Sequence, residues 1–76
     1  MIVRIEYPKD SEIRYQLIEC AKFSKSEEVK GGKIITVGFC AYDIHNKTVD
    51  NFAFPTGSGL VIYVTEKGKT IERFEV

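Results

Sequence analysis

Tryptophan is absent from this 76-residue chain, and it has one histidine, one methionine and two cysteines. Cys20 and Cys40 are too few and too far apart for the disulfide framework of a small secreted domain or for a zinc knuckle. They read as two half-buried small apolar side chains. A single histidine, His45, leaves nucleophilic catalysis poorly supplied. A serine, cysteine or threonine nucleophile needs a base that a third group holds in place. His45 falls at an expected turn tip, and alternation along the strand before it puts Cys40 on the opposite face. No enzyme activity is expected, no cofactor motif is present, and no family is suggested by any motif.

An excess of charge is also missing. Eleven basic and eleven acidic side chains cancel, so the chain lacks the positive surplus that drives counterion release from a phosphate backbone. Nowhere do about eighteen apolar residues run together, as a membrane span requires. The opening Met1-Ile-Val-Arg-Ile-Glu has no cationic region ahead of a long apolar stretch. These features set the expectation of a cytoplasmic chain that does not contact membranes. There is no internal repeat and no low-complexity tract.

What is present is a folded composition, 43% hydrophobic and 29% charged, far from that of disordered chains. The length allows one domain, 1–76, burying roughly 60% of the surface its unfolded chain exposes. Lys33–Tyr42, Thr48–Phe54, Leu60–Glu66 and Thr70–Val76 are rich in Val, Ile, Thr and aromatics. Turn residues separate them: His45-Asn46-Lys47, Pro55–Gly59 and Glu66-Lys67-Gly68-Lys69. Leu60–Val64 is apolar on both faces and reads as a central strand, and Ile71–Val76, with Glu72, Arg73 and Glu75, as an edge strand. Ile35, Val37, Phe39, Leu60, Ile62 and Val64 are the expected core.

Met1–Tyr7 alternates as a half-buried strand closed by Pro8. Ser11–Phe23 fits both a helix and a strand. At helical spacing Ile13, Leu17, Cys20 and Ala21 share a side; at strand spacing Ile13, Tyr15, Leu17, Ala21 and Phe23 do. Its Glu, Gln, Leu, Ala and Lys content and its lack of Val and Thr favour the helix, with Asp10 or Ser11 as cap. Ser24–Gly32 reads as a polar loop ending in two glycines. The expected class is therefore α+β: an N-terminal strand, one helix, then a four-stranded antiparallel meander packed on the helix. An all-β barrel or meander is the alternative.

Three constellations carry candidate chemistry. A two-residue turn at Asn46 and Lys47 would bring Asp43, His45 and Asp50 to one side of a hairpin, suitable ligands for a divalent ion. A longer turn would separate them, and no structural ion is expected. Pro55-Thr-Gly-Ser-Gly59 resembles an anion nest in composition, but a strand rather than a helix follows it. Phe39, Tyr42, Phe52, Phe54 and Tyr63 beside Lys22, Lys25, Lys30 and Lys33 would suit single-stranded nucleic acid. The core's need for aromatics and the intervening Glu27 and Glu28 argue against that use.

By elimination, the expected function is a small non-enzymatic protein-interaction or regulatory module, with a homodimer as its assembly. A nucleic-acid module using Lys22, Lys25, Lys30, Lys33 and Tyr42 is the alternative. An open sheet leaves unpaired edges, so the interface candidates are Arg4 and Glu6 on the first strand and Ile71, Arg73 and Glu75 on the last.

Overall fold

The computed structural model describes residues 1–76 and contains strands only. Seven occur in chain order: β1 Ile2–Glu6, β2 Tyr15–Glu19, β3 Lys22–Lys30, β4 Lys33–Tyr42, β5 Thr48–Pro55, β6 Val61–Glu66 and β7 Lys69–Glu75. They form two antiparallel sheets, one of four strands in the order β2-β1-β6-β7 and one of three in the order β3-β4-β5.

The tight hairpins follow from local chemistry. Gly31 and Gly32, at φ 60° and 76°, form a two-residue turn between the paired Lys30 and Lys33. Positive φ at both central positions marks the type I′ turn, whose twist matches that of the flanking strands. Lys67 and Gly68 do the same between Glu66 and Lys69.

The α+β class with its Ser11–Phe23 helix does not hold. That segment supplies β2, a bend at Cys20 and Ala21, and the start of β3. Helix propensities among Glu, Gln, Leu and Lys differ from those of β formers by only tenths of a kcal/mol, and tertiary pairing overrides them. Here β2 is laddered on β1 from Ile2↔Glu19 to Glu6↔Tyr15. The strand phase read from the sequence was also inverted, because Tyr15 and Leu17 are exposed while Ile18 and Cys20 are buried.

Ser24–Gly32 is not a loop either, since Lys22–Lys30 is a nine-residue strand. It lies at a sheet edge, where alternation with apolar residues is not required. The four-stranded meander fails for a third reason. The β5–β6 connection passes from one sheet to the other, so β6 pairs with β1 and not with β5. Of the alternative reading the all-β class holds, but as two facing sheets instead of a barrel or a single meander.

The core lies between the sheets: Val3, Ile5, Ile18 and Cys20 from β1, β2 and the residue after it, Val37, Phe39 and Ala41 from β4, Leu60 just before β6, and Ile62 and Val64 on β6. Phe39 is 2% exposed. Its ring stacks on Phe23 and Phe52 at 5.4 and 5.5 Å and reaches Phe74 of the opposite sheet at 5.9 Å.

Five of the six expected core residues are buried, but Ile35 is 38% exposed. Thr36 pairs with Glu28 and Ile34 with Val29, leaving Ile35 as the extra residue of a bulge. The expected edge positions are half corrected: β7 is an edge, whereas β1 lies inside its sheet between β2 and β6. Phe39→Ala should cost about 3–5 kcal/mol in urea unfolding. Ile35→Ala should cost less than about 1 kcal/mol, because the side chain loses little packing.

Candidate functional site

The five interface candidates come together on one face. Strand register places Leu17, Arg4, Tyr63 and Arg73 in one row across the four-stranded sheet, flanked by Tyr15, Glu6, Val61 and Glu75 on one side. These side chains point away from the core, because alternation sends Val3, Ile5, Ile62 and Val64 inward. Ile71 is the unpaired residue of a β7 bulge, between Thr70 opposite Thr65 and Glu72 opposite Val64.

Tyr63 is the centre of this face. The Arg4 guanidinium lies 4.9 Å and that of Arg73 5.8 Å from its ring centroid, distances at which a cation is attracted to the ring face. Each arginine is also tied to a carboxylate two residues on, Arg4 to Glu6 at 3.0 Å and Arg73 to Glu75 at 2.8 Å. Interaction with the Tyr63 hydroxyl, and after it with the Glu75 carboxylate, pushes the Arg73 guanidinium pKa above its usual value. Ile2, Arg4, Leu17, Tyr63, Thr65 and Thr70 line an open depression of about 270 Å³ on this face.

The nucleic-acid candidates do not converge. Lys22 lies over the Tyr42 ring at 6.0 Å. Lys25 points inward, its Nζ 4.9 Å from the Phe74 centroid and 3.2 Å from Glu27. Lys30 and Lys33 face each other at the hairpin tip, eight residue steps of roughly 3.3 Å from Lys22. Phe39, Phe52 and Phe54 point into the space between the sheets, in contact with one another or with Tyr7. A stacking platform beside a basic patch is not assembled.

The β4–β5 turn is longer than two residues. Tyr42 pairs with Thr48 and Ala41 with Asp50, so Asp43 and Asp50 are not opposed. Asp43 Oδ1 instead accepts from the backbone N–H groups of His45 and Lys47, at 2.8 and 2.9 Å. This is the local use of aspartate that shapes turns. No three His, Cys, Asp or Glu side chains are grouped to hold a metal ion. In the Pro55–Gly59 loop the N–H groups of Thr56, Ser58 and Gly59 donate to backbone carbonyls, leaving little of a nest for an anion. No helix is long and apolar enough to cross a membrane.

No protein-family model, curated protein or solved structure matches the chain. The reading of the site therefore rests on its geometry. Sequence reasoning missed Tyr63, Tyr15 and Leu17 as members of this face. Tyr63 lies in a run apolar on both sides, and the other two were assigned to a helix. The signal for Tyr63 was the Arg4 and Arg73 pair, visible only once β1 and β7 are known to flank β6.

Cys20 lies in the core beside a second depression, lined also by Met1, Ile44 and Val49. Burial pushes its thiol pKa above the usual value of 9.0, and the N-terminal ammonium pulls the other way. A raised folded pKa means that the folded state holds the proton more tightly. That stability is complete below the unfolded pKa and is lost as pH rises through the folded one. Urea midpoints measured upward from about pH 8.5 should fall more steeply for the native chain than for Cys20→Ala.

Proposed function

We propose that the chain is a small non-enzymatic interaction module, and that its partner is a second copy of itself, met through the four-stranded sheet. The carrying observation is surface left uncovered. The accessible area is 5584 Å², whereas a compact monomer of 8.7 kDa exposes about 4,700 Å². The difference of about 900 Å² is spread over the molecule, with part of it at the exposed Val29, Ile34 and Ile35 of the β3–β4 hairpin and part on the four-stranded sheet.

The four-stranded sheet offers surface of the right kind. Tyr15 and Leu17 are 60% and 58% exposed, with Ile2 and Ile71 about half exposed, around a tyrosine held by two arginines. Tyrosine and arginine are enriched at interface centres. Arg4 with Glu6 and Arg73 with Glu75 give the face both signs of charge, so it complements itself under a two-fold rotation. The zero net charge keeps repulsion between copies weak.

Sedimentation equilibrium tests the reading. The weight-average mass should rise toward twice 8.7 kDa as the concentration approaches about 100 μM, by mass action. A mass that stays at the monomer value over that range overturns it.

A further inference from the structure

The two sheets leave four strand edges: β2, β7, β3 and β5. Three of them carry features that oppose pairing with another chain. β3 turns Lys25 and Glu27 toward the inner side. β5 is bulged at Val49, turns Asp50 inward opposite the buried Ala41, and ends in Pro55. β7 is bulged at Ile71 and sets Glu72 opposite the buried Val64. Inward charges, bulges and proline are the devices by which proteins blunt sheet edges. β2 has none of these. It is laddered on β1 without a register shift, contains no proline or lysine, and its inward residues are Gln16 and Ile18.

The unpaired groups of β2 can be identified. Cys20 N donates to Met1 O and Tyr7 N to Arg14 O, so the even-numbered residues of this strand direct their N–H and C=O groups at β1. In an antiparallel ladder the direction alternates, so Tyr15, Leu17 and Glu19 direct both groups outward, at the open edge.

We infer that the β2 edge pairs antiparallel with β2 of a second copy, Leu17 opposite Leu17 on the two-fold axis, joining two four-stranded sheets into one of eight. This pairing presupposes the self-association proposed above and places its seam at the β2 edge, where it covers Tyr15 and Leu17 and leaves Tyr63, Arg4 and Arg73 on the open face. The outward groups meet in any register that sets odd-numbered residues opposite one another; an axis at Gln16 or Ile18 joins two such pairs within β2, whereas an axis at Leu17 joins three. Centring on Glu19 would oppose two carboxylates, and centring on Tyr15 would pair few residues. Centring on Leu17 sets Tyr15 against Glu19 of the second copy and Leu17 against itself, with roughly six backbone hydrogen bonds. It leaves no like charges opposed. The row Arg73, Tyr63, Arg4, Leu17 then continues across the axis into its own repeat, so the exposed faces of both copies become one surface.

The test is a thiol at the axis. Directly opposed residues of a hydrogen-bonded antiparallel pair have Cα atoms about 5.5 Å apart, inside the roughly 4.4–6.8 Å that a disulfide spans. In a Cys40→Ser background, which leaves only the buried Cys20, Leu17→Cys should oxidise to a covalent dimer for most of the chain. Thr70→Cys, on the edge strand β7, should not. Amide hydrogen exchange on the unmutated chain gives a second reading independent of any variant. The Tyr15, Leu17 and Glu19 amides should slow several-fold on concentration to about 100 μM, following dimer formation.

A chain that dimerises while Leu17→Cys stays uncrosslinked and those three amides exchange at unchanged rates overturns the β2 pairing and leaves self-association standing. Cross-linking through Thr70→Cys instead moves the interface to β7 and likewise overturns it. A monomer at about 100 μM removes both proposals.

Discussion

The two sheets share no ladder of hydrogen bonds, so what holds them face to face is side-chain contact, and Phe39 is its centre. The ring touches Phe23 and Phe52 within its own sheet and Phe74 across the gap. Around it Val3, Ile5, Ile62 and Val64 are almost wholly removed from water. Aromatic pairs at such separations contribute about 0.5–1.5 kcal/mol beyond burial of their area. In a domain this small that is a large share of the margin between folded and unfolded. The sandwich is thin on either side of this centre. The radius of gyration, 12.8 Å, exceeds the about 11.4 Å expected for a compact chain of this length. The β3–β4 hairpin accounts for part of the excess, with Val29, Ile34 and Ile35 exposed toward its tip.

From this thin core follows the division of labour among the surfaces. The outer side of the three-stranded sheet pairs small and polar residues, Ser24 with Cys40 and Asn51, Ser26 with Gly38 and Ala53. The outer side of the four-stranded sheet carries Ile2, Leu17, Tyr15 and the Arg4–Tyr63–Arg73 row. The middle of the three-stranded sheet is thus the less apolar of the two outer sides, although Val29 and Ile34 are exposed at its hairpin end. That asymmetry underlies the proposal that the four-stranded sheet is the side that meets a second copy.

Residues whose side chains report their own environment were legible from the sequence. Lys33–Tyr42 was bounded correctly because its β-branched run is closed by a glycine pair on one side and Asp43 on the other. Leu60–Val64 was correctly read as central because no solvated face was visible in it. Tyr15–Glu19 was not legible, because its one buried residue, Ile18, is hidden between a leucine and a glutamate that both face solvent. A five-residue strand with a single inward apolar side chain has no period to detect. The candidate site was half legible. Arg4, Glu6, Arg73 and Glu75 were picked out as charges on strands, but their convergence on Tyr63 depends on β6 lying between chain segments about seventy residues apart, which no local pattern encodes.

That same insertion of β6 beside β1 has a kinetic side. The β3–β4 and β6–β7 hairpins are closed by two-residue turns and involve near neighbours in sequence, so their formation needs little loop closure. The β1–β6 ladder, from Ile2↔Thr65 to Glu6↔Val61, joins opposite ends of the chain, and non-local pairing of this kind slows folding. During synthesis β1 and β2 emerge first, yet the strand that completes their sheet is not made until Val61 and beyond. Until then the inner strand β1 is itself an open edge carrying Val3 and Ile5. Until Val61 and the residues after it are made, the nascent chain thus carries an exposed edge that the folded sheet does not show.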